Sequence, residues 1–150
     1  MRVVLCSLLV LALSACVSAV SPNPRSTALE DLVLCVPPAR NAPGGADIIN
    51  DQHYFDRDPK NPNYYVPTQA VTAFGFAVRY AGLRGVMYQP GPNLTLAATV
   101  QQVRQSLSAY DFTCKGQACM HRTSPQTAVL IYPHGRDRDL TTIQCAYTGP

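Results

Sequence analysis

Asp51, His53, Asp56 and Asp58 fall within eight residues and form the densest group of side chains able to move a proton or hold an ion. Carboxylates with an imidazole can ligate a metal, or supply a general base and a partner that orients water. The spacing fits neither role well. An EF-type loop needs oxygen ligands at alternate positions and glycine at the sixth, whereas counting from Asp56 puts Lys60 fifth and Asn61 sixth. Asp and Asn beside prolines also shape turns by bonding nearby backbone, and that is the expectation here; no metal is expected. Cys114-x4-Cys119-x-His121 could suggest zinc, but thiols in an oxidising compartment pair with one another first. Paired, they also leave no thiolate nucleophile. His121 falls in a strand-like run and His134 in a hairpin-like Pro133-His134-Gly135-Arg136-Asp137, with no Gly-x-Ser-x-Gly elbow and no phosphate-cradling glycine loop elsewhere. No catalytic residue and no cofactor are expected.

A different chemistry is offered by His53, Tyr54, Phe55 and Arg57, followed by Tyr64 and Tyr65. Tyrosine and arginine dominate protein interfaces because they cover large area with few rotatable bonds. These six residues are the expected partner-binding set. The competing expectation is that the rings fold back and roof the core.

Which elements would position them? From Pro37 to Pro67 the chain carries six of its thirteen prolines together with Gly44-Gly45, so a long proline-rich loop over 37–67 is expected. Thr27-Ala28-Leu29-Glu30 has the form of a capping box, and Leu29, Leu32, Val33 and Val36 share a helical face, ended by Pro37-Pro38. Alternation over 71–80 predicts a strand, followed by a hairpin connection into Val86-Met87-Tyr88. Leu96, Val100, Val103 and Leu107 recur at helical spacing and predict the main helix over about 95–109, capped by Asn93 or Thr95. Short strands are expected at 111–114, 118–122, 127–132 and 140–147. The sum is an α+β domain, one main helix packed on a mostly antiparallel sheet.

Leu13-Ser14-Ala15-Cys16 closes a thirteen-residue apolar run, Val3 to Ala15, that follows the single charge of Arg2. Basic tip, apolar middle and small-residue exit is the order of a secretory signal. The tetrapeptide resembles the lipobox of bacterial lipoprotein signals, and the resemblance covers the first sixteen residues. It implies that Cys16 is acylated on sulfur and becomes the first mature residue. The run is shorter than the ~20 residues a membrane-crossing helix needs. Val17-Ser18-Ala19 offers an alternative, lipid-free cleavage site. Residues 1–15 are thus expected to be signal, 16–26 anchor and tether, and 27–150 a single domain.

Cys35, Cys114, Cys119 and Cys145 remain after Cys6 and Cys16 are set aside, an even set that predicts two disulfides in an exported chain. Three connectivities are possible. Cys114–Cys119 around Lys115-Gly116, with Cys35–Cys145 tying distant parts together, is the expected one. Net charge is only +3 with scattered basic residues, which argues against nucleic acid as a partner. The expectation is a non-enzymatic lipoprotein binding a protein partner in the cell envelope, such as an inhibitor or immunity protein, on the outer membrane facing the periplasm. A structural accessory of an envelope machine and a small hydrolase using Asp51, His53 and Asp56 are the alternatives.

Overall fold

The computed structural model describes residues 24–84 and 90–149. The signal-like run, Cys16, most of the expected tether and the strand expected through Val86-Met87-Tyr88 lie outside these residues. In chain order the elements are α1 (Pro24–Val33), α2 (Gly45–Asn50), β1 (Phe55–Arg57), β2 (Tyr65–Pro67), β3 (Thr72–Ala73), β4 (Phe76–Gly82) and β5 (Asn93–Leu96). They continue with α3 (Val100–Ser106), β6 (Thr113–Lys115), β7 (Ala118–Ser124), β8 (Thr127–His134) and β9 (Asp137–Tyr147). The strands form one antiparallel sheet in the order β1-β2-β4-β5-β9-β8-β7-β6, with β3 paired to β4 beside it.

Two expected elements are corrected. The main helix over 95–109 is a strand followed by a short helix: 93–96 pair with β4 and β9 as β5, and α3 starts only at Val100. Leu96 has helical spacing to Val100, yet it is fully buried in the middle of a sheet. The cap is therefore Thr99, whose hydroxyl accepts from the Gln102 amide while Gln102 Oε1 accepts from the Thr99 amide. Nor is 37–67 one loop, since it contains α2, β1 and β2. Short elements punctuated by proline carry too few periods to show in sequence.

α1 already begins at Pro24, within the stretch expected to be tether, so Thr27 lies inside it. Glu30 serves elsewhere instead. Its Oε1 accepts from the Ser26 hydroxyl and, at 2.6 Å, from the backbone N–H of Phe74. Phe74 and Gly75 form the two-residue turn between β3 and β4, both with positive φ (54° and 81°) as a type I′ turn requires. That turn splits the single strand expected over 71–80.

One face of the sheet is apolar. Leu94 and Leu96 of β5, Val129 and Ile131 of β8 and Ile143 of β9 are fully buried there against Leu29 and Val33 of α1, Ile49 of α2 and Val103 of α3. Each such side chain contributes on the order of 1.5–3 kcal/mol when removed from water. Two residues past the end of α1, Cys35 takes a left-handed φ of 62° while the Val36 amide donates back to the Asp31 carbonyl. This sends the Cys35 sulfur to Cys145 on β9, closing a disulfide across 110 residues. The second disulfide, Cys114–Cys119, links β6 to β7. Both pairs are those expected from sequence.

Candidate functional site

The six residues expected to bind a partner are divided by the fold. Residues alternate between the faces of a strand, so Phe55 and Arg57 of β1 and Tyr65 of β2 share the helix side, while Tyr64 turns to the other. Phe55 is a correction: its ring is 1% exposed and belongs to the core, out of a partner's reach. Tyr54 packs half-buried against the same core, with the exposed His53 ring edge-on at 4.8 Å. The Arg57 guanidinium lies 5.2 Å above the Tyr65 ring, and the Tyr65 phenol donates to Asn50 Oδ1 at the end of α2. Arg57 also donates to the Pro62 carbonyl. The His53 carbonyl accepts from the Thr68 hydroxyl and the Gln69 amide, so the backbone here is fastened by side chains of the segment after β2. His53, Tyr54, Arg57 and Tyr65 thus flank the outermost strand, β1, on a stretch of fixed backbone.

Asp51 and Asp58 do what turn chemistry expects. Asp51 Oδ1 accepts from the His53 amide and Asp58 Oδ1 from the Lys60 amide, while Asp56 is exposed on β1. Among the described residues no three His, Cys, Asp or Glu side chains converge on a point that could hold a metal ion. His121 is half-buried on β7, its Nδ1 3.0 Å from the Asp111 carbonyl oxygen and its ring against Tyr110 and Phe112.

The second face of the sheet carries the polar cluster that sequence reasoning missed. Cross-strand registers set Tyr80, Thr95, Thr142 and Tyr132 side by side across β4, β5, β9 and β8, with Gly82, Asn93, Gln144 and Leu130 in the next row. Asn93, Thr95, Thr142 and Gln144 are all at most 1% exposed. Buried polar groups mostly find partners, and here all but Asn93 Oδ1 do so. His134 Nδ1 lies 3.0 Å from the Thr142 hydroxyl and 3.2 Å from that of Thr95, and Gln144 Oε1 accepts from the Tyr132 phenol at 2.8 Å. Above this row the rings of Tyr80 and His134 stack at 5.6 Å, and Tyr64 stands edge-on to His134. So Tyr64 covers a polar stripe instead of facing outward.

Burial sets the acid–base properties of the cluster. It pushes the Tyr132 phenol up to about 12, helped by nearby Tyr64, and raises Tyr64 as well. It lowers His134, against the opposing pull of the Asp137 carboxylate. In the tautomer with Nδ1 unprotonated, a neutral imidazole accepts from one of the two threonine hydroxyls, which lie 3.4 Å from each other. Locally, Thr142 and Gln144 alternating with Thr141, Ile143 and Cys145 reads as a strand with one solvated face, so the sequence carries no signal for this cluster.

No known protein decides between these two clusters. No protein-family model matches the chain, and no curated protein or solved structure shows significant similarity to it. No helix among the described residues is long and apolar enough to cross a membrane.

Proposed function

We propose that this chain is a non-enzymatic bacterial envelope lipoprotein, anchored through Cys16, that binds a protein partner in the periplasm as inhibitors and immunity proteins do. Its contact surface is formed by His53, Tyr54, Arg57 and Tyr65. The observation that carries this reading is the Arg57–Tyr65 stack, held by Asn50 and by the Pro62 carbonyl beside an edge strand. An arginine and a tyrosine already fixed in place lose little entropy on binding, which is what makes an interface hot spot. Two disulfides support a location outside the reducing cytosol.

Mass spectrometry of the unreduced protein from a bacterial host tests the anchor: the expected chain begins at Cys16 and carries acyl mass, and an unmodified Cys16 overturns it. Capture from envelope and secreted fractions tests the surface. The expected result is one stoichiometric protein complex, lost on Arg57→Ala with Tyr65→Ala and kept on Met120→Ala on the distant β7. Capture unaffected by the double substitution refutes it.

A further inference from the structure

A cavity of about 1040 Å³ lies between α1 and the chain from Val36 to Asp51, reaching Tyr54 at one end. Its size is that of a generous ligand pocket. The two helices that wall it meet closely, because Gly45 leaves no room for a Cβ beside the Ala28 carbonyl and Leu32. Leu32, Ile48, Pro38 and Pro43 make its lining mainly apolar. Val36, at 43% exposure, is one of three large hydrophobic residues left in solvent among the described residues, and it lines this groove. Exposed apolar surface gathered in a concavity marks an interaction site.

Charge says what kind. The chain has 12 basic and 9 acidic residues, yet among the described lining residues there is no Lys or Arg, and Asp31, Asp47 and Asp51 stand there. Asp47 and Asp51 each use one oxygen on local backbone, the Gly44 and His53 amides, which fixes the carboxylates without neutralising them. An apolar groove with carboxylates around it, on a molecule of the opposite net sign, selects an apolar segment bearing cations.

We propose that this groove docks a cationic, apolar peptide segment of a protein partner. The inference deepens the reading above, since Tyr54 belongs to both the groove and the proposed contact surface, and it rests on that reading for the partner being a protein. Apolar side chains of the segment displace water from Leu32, Val36 and Ile48, and its Lys or Arg side chains meet Asp31, Asp47 and Asp51.

Fluorescence anisotropy on the full mature chain tests this with two labelled fourteen-residue amphipathic peptides, one of leucine and lysine, the other of leucine and glutamate. The lysine peptide is expected to bind and the glutamate peptide not to. Val36→Arg, which places a cation in the groove at an exposed position, is expected to weaken binding at least tenfold; so is Asp31→Lys. Met120→Arg adds the same charge on β7 and is expected to leave binding within twofold. The proposal is overturned if Val36→Arg and Asp31→Lys bind within twofold of the parent, if Met120→Arg loses as much, or if both peptides bind equally. Circular dichroism of each variant confirms folding. Should the groove variants bind normally while Arg57→Ala with Tyr65→Ala still releases the protein partner, the groove inference falls and the proposed surface stands.

Discussion

Removing the Cys35–Cys145 bridge should cost far more stability than removing Cys114–Cys119, although both join neighbouring backbone. The bridges span 110 and 5 residues, with Cα atoms 5.1 and 4.0 Å apart. A cross-link acts mainly by restricting the unfolded chain, so its effect grows with the logarithm of the loop it closes; the chain-entropy relation gives about 4.8 kcal/mol for the long loop and about 2 kcal/mol for the short one. For a domain of roughly 125 residues, with an unfolding entropy near 2.1 cal/mol/K per residue, those losses lower Tm by about 18 °C and about 8 °C. The perturbation is Cys35→Ala with Cys145→Ala, against Cys114→Ala with Cys119→Ala. Urea denaturation followed by circular dichroism reads ΔG and m together. Each bridge has one cysteine at 4% exposure, Cys145 in the long and Cys119 in the short, so lost packing is similar in the two pairs and loop length sets the gap. Equal losses from the two pairs, or a larger loss from the short one, would refute the reasoning, because strand pairing rather than chain restriction would then dominate.

Gly91 has φ 145°, and a Cβ there would overlap the Cys145 carbonyl, so Gly91→Ala should lose about 3 kcal/mol or more in the same denaturation assay. An unchanged midpoint would show that the Pro90–Pro92 segment does not rest on β9. His134 has a lowered pKa, so below the ordinary histidine value of about 6.5 the unfolded chain takes up this proton more readily than the folded one. Its contribution is therefore complete above pH ~6.5 and lost as pH falls through the folded pKa; His134→Gln should flatten the stability–pH slope in that window, and an unchanged slope would place its origin elsewhere.

The strands after residue 111 were legible because each has several alternating residues and a turn marked by Gly116, Ser124-Pro125 or Gly135. The number of disulfides followed from the even count of cysteines in a chain expected to be exported, while the count left three pairings open. What misled was Leu96: an apolar residue four before Val100 satisfies a helix and a buried strand alike, and only the pairing of Thr95 with Thr142 decides. The candidate surface was half legible. Arg57 and Tyr65 show themselves by residue type, but nothing local tells Phe55, which points inward, from Tyr54, which stays half-buried beside the surface. The polar stripe was hidden because Tyr64, Tyr80, Thr95, His134 and Thr142 are brought together by registers between strands far apart in sequence, and no local pattern encodes a register.

Of all the strands, β9 comes last in the chain and yet lies between β5 and β8. Until it arrives, the molecule is two separate flaps, each showing a bare row of amides and carbonyls to whatever is nearby. A chain interrupted before β9 is therefore prone to stick, whereas β9 knits both flaps together in one step. Any holding factor that guards this protein before β9 is in place has that seam to cover.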